Sequence, residues 1–143
     1  MKSSKYSNIY VIGVFDLFHV GHIELLKKAK QLGEKLIVAV NSDDLVSVYK
    51  RKPYYNEENR LALVKACRYV DDAFIIGEFD NKPYIEKYDI DAIVHGNDWE
   101  YTSYLEQIRV SPEYLKERNV ELVLLPYTEG ISTSHLIKTI KEN

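Results

Sequence analysis

Ile9-Tyr10-Val11-Ile12-Gly13-Val14-Phe15-Asp16-Leu17-Phe18-His19-Val20-Gly21-His22 is the stretch that decides the fold class. Residues 9–14 are a short β-branched run, sized for a buried strand, and the run ends at Asp16. Helical spacing follows over 21–32. Ile23, Leu25, Leu26, Ala29 and Leu32 are apolar, lysines occupy the other face, and Gly33 reads as the stop. A strand that feeds a helix is the repeating unit of an alternating α/β chain. Working outward, further strands are expected at 36–40, 73–76, 92–94 and 122–125. Helices are expected at 57–67, with Leu61, Leu63, Val64 and Ala66 apolar, and at 82–88, 112–118 and 132–141. Continuous apolar strands separated by helices imply an α/β fold: a Rossmann-like, five-stranded parallel sheet with helices on both faces. Residues 1–143 read as one domain, without repeats, linkers or low-complexity tracts.

Composition narrows the function. Of the 143 residues, 45% are hydrophobic and 29% charged, the balance of a globular chain with its own core. No apolar run approaches the roughly 20 residues that span a bilayer, so no membrane partner is expected. Met1-Lys2-Ser3-Ser4-Lys5 leads into no signal-peptide core, and a cytoplasmic location is expected. The single cysteine, Cys67, has no intrachain partner and reads as core. With 19 basic against 22 acidic side chains the net charge is −3, which argues against nucleic acid as partner.

Ligands of parallel sheets bind beyond the carboxyl ends of the strands. Those ends carry residues 16–22, 41–44, 96–99 and 128–134 here. In the first, His19 and His22 stand where a helix begins. A helix start offers unpaired N–H donors and a positive dipole end, Gly21 permits close backbone approach, and two imidazoles add donors. That combination suits a phosphate. Two surface histidines flanking a turn would give the same string, and a zinc pair lacks a third ligand. Neither a Walker loop nor a Gly-x-Gly-x-x-Gly fingerprint is present. In the last segment, Thr128-Glu129-Gly130-Ile131-Ser132-Thr133-Ser134 opens the final helix. Its glycine and hydroxyls suit phosphate oxygens, and Ser132 or Thr133 equally suits a plain N-cap.

Taken together and in this order, His-Val-Gly-His and Thr-Glu-Gly-Ile-Ser-Thr-Ser resemble the cytidylyltransferase family of the His-x-Gly-His nucleotidyltransferases. Arg68-Tyr69-Val70-Asp71 and Gly96-Asn97-Asp98-Trp99-Glu100 extend the likeness to almost the whole chain, most strongly to the glycerol-phosphate branch. The resemblance implies that His19 and His22 contact the α-phosphate of CTP, with Lys50 and Arg51 assisting. It implies nucleotide contacts from Val14, Phe15, Asp16, Gly21, Asp98, Trp99, Thr128, Gly130, Ile131, Ser132 and Thr133. Lys52, Arg60 and Tyr127 are assigned to the acceptor. A solvated loop is the ordinary use of a basic run such as 50–52. Asp98 and Trp99 would equally serve as a loop cap and a packed indole. The resemblance also implies a homodimer, with residues 68–71 near its interface.

Two departures bear on the acceptor. Tyr127 stands where the family has an arginine, and a phenol does not replace a bidentate guanidinium. The stretch between Trp99 and Val120 is longer than in the short glycerol-phosphate enzymes. The implied reaction is CMP transfer from CTP to a small phosphate monoester, foremost glycerol 3-phosphate, giving CDP-glycerol and pyrophosphate. Mg²⁺ would bridge the triphosphate with few protein ligands, Asp16 being the carboxylate placed to help. Alternatives are a choline, ethanolamine or sugar phosphate as acceptor, ATP as donor, or a catalytically silent nucleotide-binding subunit. His95 reads as pocket lining or as a structural histidine, and His135 as facing phosphate or solvent.

Overall fold

A computed structural model describes residues 5–96, 100–126 and 132–142. The chain runs β1 (Tyr6–Gly13), α1 (Val20–Gln31), β2 (Gly33–Asn41), α2 (Asp43–Tyr49), α3 (Glu57–Ala66), β3 (Asp72–Ile76), α4 (Lys82–Lys87), β4 (Ala92–Gly96), α5 (Tyr101–Gln107), α6 (Pro112–Arg118), β5 (Glu121–Leu125) and α7 (Thr133–Glu142). The five strands form one parallel sheet in the order β3-β2-β1-β4-β5. The expected α/β sheet is therefore the observed one, with β1 at its centre.

Strand alternation splits the core into two faces. Tyr10 and Ile12 of β1, with Ile37 and Ala39 of β2, pack with Ile85 of α4, Tyr104 and Leu105 of α5, and Leu115 of α6. Ile9 and Val11, with Leu36, Val38 and Val40, pack with Leu26 and Ala29 of α1 and Val64 of α3. Both faces are apolar, which is why these strands read as continuous hydrophobic runs rather than alternating ones.

Two short helices stand beyond the expected set: α2, where no element was expected, and α5, in the long stretch ahead of Val120 that read either as a reshaped acceptor pocket or as an extended surface helix. In α2, Ser42 Oγ caps Leu45 N at 3.1 Å, and Asp43 and Asp44 in the first turn suit the helix dipole. Asp71 ties α3's exit back to the sheet, accepting from Leu36 N at 2.8 Å and from Lys30 Nζ at 2.7 Å.

Gly33 has a different role from the expected helix stop. The helix is closed by Leu32, whose N–H bonds back to Ala29 O, and Gly33 is the first residue of β2. A Cβ there would stand 2.6 Å from Ile9 Cγ1 and 3.0 Å from the Tyr6 carbonyl oxygen. Close approach of β1 to β2 requires the glycine. Gly33→Ala is expected to lower unfolding stability by about 1–3 kcal/mol, the usual cost of over-packing a core. Denaturant melts that superimpose on the parent's would refute this.

Candidate active site

The loop from β1 to α1 is built on two left-handed residues, Phe15 (φ 57°) and Leu17 (φ 48°). Such torsions are uncommon for side chains of this bulk and persist where surrounding contacts impose them. Here Phe15 is buried in the core, and its ring lies over Gly13, where a Cβ would meet it at 2.8 Å.

His19 is the N-cap of α1, and the two histidines cap the helix reciprocally. His19 Nδ1 accepts from Gly21 N at 2.9 Å, and His22 Nδ1 accepts from His19 N at 3.1 Å. A ring nitrogen that accepts carries no proton, so each neutral imidazole bears its hydrogen on Nε2. The helix cap thus sets both tautomers and leaves two Nε2–H donors. The rings lie 4.0 Å apart, and Phe18 stacks on His22 at 5.3 Å. Thr133, at the start of α7, bridges to the same loop. Its hydroxyl donates to the Asp16 carbonyl at 3.0 Å and lies 3.5 Å from His19 Nε2.

The Asp16 side chain faces the other way, towards the basic loop. Its carboxylate accepts from Tyr54 N (2.8 Å), Tyr55 N (2.9 Å), Leu17 N (3.1 Å) and Arg51 Nη1 (3.1 Å). Burial alone would raise its pKa. The Tyr55 and Tyr54 amides and the Arg51 guanidinium outweigh that and hold the carboxyl below its ordinary range. Arg51 also lies over the Tyr54 ring at 4.6 Å.

Arg60, expected at the acceptor, is fully buried instead. It donates to Tyr55 O (2.9 Å), Val14 O (2.8 Å), Asn41 O (2.7 Å) and Asp43 Oδ1 (2.6 Å). With four of its five N–H donors committed to the fold and no exposed surface, it organises the loops rather than meeting a substrate.

These parts surround a cavity of about 820 Å³ at the carboxyl ends of the strands. Val14, Phe15, Asp16, Gly21 and both histidines reach it from the β1–α1 loop. Lys50 and Arg51 reach it from the basic loop, and Ser132 and Thr133 from the start of α7. His95 lines it too. Lys52 is exposed and is absent from its wall. His135 is exposed, with its amide bonded to Ser132 Oγ at 3.0 Å. Cys67 is half-buried against the α1–α3 face of the core. Asp98, Trp99, Tyr127, Thr128, Gly130 and Ile131 lie outside the described residues. Sequence reasoning placed Asn41 at the ligand-binding strand ends without giving it a role and did not assign Tyr49, Phe79 or Gln107, yet all four line the cavity. The spacing of the α5 apolar residues, and Ser42 ahead of two acids in α2, are the signals that lead to the helices carrying Tyr49 and Gln107.

Among the described residues no three His, Cys, Asp or Glu side chains gather as a metal cage. Both Asp16 oxygens are already engaged by four donors. A protein-held Mg²⁺ does not fit that carboxylate.

Burial depresses the His19 pKa. For His22, burial first and the His19 charge second bring it down to about 3 from 6.5. Below about pH 6.5 the unfolded chain takes up a proton on His22 that the folded chain refuses. The histidine's contribution is therefore complete above 6.5 and is lost as pH falls towards 3. Between pH 7 and pH 5 the parent is expected to lose at most about 2 kcal/mol of stability from this residue. His22→Gln should flatten that part of the profile. Equal pH dependence in chemical denaturation of both proteins would exclude it.

Comparison with known proteins agrees with this architecture. A family profile described as cytidylyltransferase-like matches residues 10–139. Glycerol-3-phosphate cytidylyltransferase of Staphylococcus aureus is 36% identical over 90% of this chain and 90% of its own. An FAD synthase of Pyrococcus abyssi is 38% identical over 99% of this chain and 97% of its own. Among solved structures, a lipopolysaccharide core biosynthesis protein of Thermoplasma volcanium superimposes with TM-score 0.68 at 26% identity, covering 86% of this chain and 97% of that one. The donor-bearing cavity, the fold and the matched length agree: the chain belongs to the cytidylyltransferase-like family and is a nucleotidyltransferase.

Proposed function

We propose that the enzyme transfers CMP from CTP to glycerol 3-phosphate, releasing pyrophosphate and CDP-glycerol. The observation that carries this reading is the reciprocal histidine cap. It presents two oriented Nε2–H donors to a cavity that Lys50, Arg51 and Thr133 share. No acid–base pair or protein nucleophile is required. A phosphate monoester has its second pKa near ~6 and is mostly dianionic at neutral pH. One of its oxygens attacks the α-phosphorus and forms the new O–P bond. The bond from α-phosphorus to the bridging oxygen breaks, and pyrophosphate leaves with the electron pair. No proton has to move. The work left to the protein is to hold two polyanions together and to meet charge growing on the transferred phosphoryl and the leaving group. In this reading Mg²⁺ arrives on the triphosphate as part of the substrate, consistent with an Asp16 that is already fully bonded.

A second reading keeps the chemistry and changes the donor. The Pyrococcus abyssi relative is an FAD synthase, and FAD carries adenine. ATP therefore belongs in the same assay. We also include in the proposal a cytoplasmic homodimer; a monomeric mass in light scattering would reject the dimer.

Pyrophosphate release is expected when Mg²⁺, CTP and glycerol 3-phosphate are all present, and not when ATP replaces CTP. His19→Ala and His22→Ala are each expected to lower kcat by about 100-fold, the order found for donors that act on the transition state. Turnover with ATP in place of CTP would overturn the donor assignment. Near-parental turnover in both variants would overturn the role of the histidines.

A further inference from the structure

The cavity extends beyond the histidines to a wall that the transfer reaction leaves without a task. Asn41 is the last residue of β2 and Tyr49 the last of α2. Asn41 Nδ2 donates to the Tyr49 hydroxyl at 2.7 Å, and both residues line the cavity. A hydroxyl that accepts one bond keeps its own hydrogen to donate, and the amide keeps its oxygen. Among the described residues, neither group has a second partner. Whichever way the amide is turned, the tied pair offers the cavity at least one donor and one acceptor. Those are the needs of an alcohol hydroxyl, which gives one bond and takes another.

The surroundings of the pair favour a neutral ligand over a cation. Tyr49 leans on Phe79 at 5.9 Å, and the Arg109 guanidinium covers Phe79 at 4.8 Å. Arg60, buried beneath, donates to the Asn41 carbonyl at 2.7 Å. The nearby Glu78 carboxylate is engaged by the Tyr84 hydroxyl. The Arg109 guanidinium repels an ammonium, and among the described residues no carboxylate is bonded to the Tyr49 hydroxyl or the Asn41 amide to pair with one.

The topology says which reactant meets this wall. Apart from the β1–α1 loop itself, the segments assigned to the nucleotide follow β4 and β5 in the chain, strands on one side of β1, whereas Asn41 and Tyr49 belong to the β2–β3 side. In the proposed transfer the reacting phosphorus lies over the histidines at the end of β1, and an in-line attacker enters opposite the departing pyrophosphate, whose assigned contacts, Ser132 and Thr133, open α7 after β5.

The geometry points to Tyr49 and Asn41 as the pair that selects the acceptor. They grip a hydroxyl on its carbon skeleton and so favour polyol phosphates over amino-alcohol phosphates. This inference rests on the phosphate-ester transfer proposed above and deepens it.

The test compares glycerol 3-phosphate, n-propyl phosphate and ethanolamine phosphate in CTP-dependent pyrophosphate release, using the parent and Tyr49→Phe. The variant keeps the ring packing and removes only the hydroxyl. The parent is expected to prefer glycerol 3-phosphate over propyl phosphate in kcat/KM by about 100-fold, roughly tenfold for each neutral hydrogen bond. Tyr49→Phe should cut that ratio about tenfold, with the KM for CTP within about twofold of the parent's. An unchanged ratio overturns the inference, as does a KM for CTP that rises as steeply as that for the acceptor. A parent that prefers ethanolamine phosphate overturns the inference and leaves cytidylyl transfer standing. No release with any of the three acceptors overturns the transfer reading and the inference with it.

Discussion

A single buried guanidinium holds the working end of this sheet open. Val14 is the first residue past β1, and Asn41 is the last of β2. Beyond the last ladder bond, such carbonyls lose their sheet partners and need others. Arg60 supplies both, and the same planar fork reaches Tyr55 O and Asp43. Four acceptors from four different segments therefore converge on one side chain. Removing it would leave the buried Asn41 carbonyl and three partly exposed acceptors short of a donor at once, a heavier loss than that of one contact. The cavity depends on this bond set. It fixes where β1 hands over to the histidine loop, where α2 begins, and where the basic loop returns.

Asp16 completes the arrangement from the opposite side. Arg60 takes the carbonyl of Tyr55, and Asp16 takes the amides of Tyr54 and Tyr55 together with Arg51. The basic loop is held at both of its polar faces. Lys50 and Arg51 are thereby presented to the cavity on a short tether rather than on a free solvated loop. Thr133 adds the last strut, joining α7 to the Asp16 carbonyl. The site is thus assembled by charge-assisted bonds between loops, while the two apolar cores only place the strand ends that carry them.

What the sequence made legible was local. The strand–loop–helix stretch around His19 could be read because periodicity, the cap position and the donor types all lie within a dozen residues. The same holds for α1, α3, α6 and the five strands. Arg60 was misread because an arginine near a basic run looks like a phosphate ligand, and only tertiary packing decides that it turns inward. Gly33 was misread because a glycine after a helix has two uses, and the second requires knowing that Ile9 faces it. The helix α2 carried its own signal, Ser42 followed by two acids and Leu45-Val46, but residues 41–44 looked like chemistry at a strand end. The helix α5 had Tyr101, Tyr104, Leu105 and Ile108 at helical spacing, obscured by the absence of a side-chain cap. Tyr49 was hidden for a different reason. Its partner lies eight residues away across a helix that was not expected, beside three basic residues that drew the attention.

The division of labour between the histidines and the cations follows from burial. Two imidazoles 4.0 Å apart cannot both carry charge cheaply, and their Nδ1 atoms are already committed to the helix cap. In the proposed reaction they serve as neutral dipolar donors fixed in direction, a role that needs no change of protonation. Positive charge is supplied instead by Lys50 and Arg51, which stand exposed at the cavity wall. Arg51 is partly neutralised by Asp16 until an anion competes for it. The Asp16–Tyr54 and Asp16–Tyr55 bonds hold the loop independently of the Asp16–Arg51 pair, so in the proposed reaction a polyanion that competes for the guanidinium leaves the loop in place. Orientation is thus built into the uncharged part of the site, and charge is left to side chains at its exposed rim.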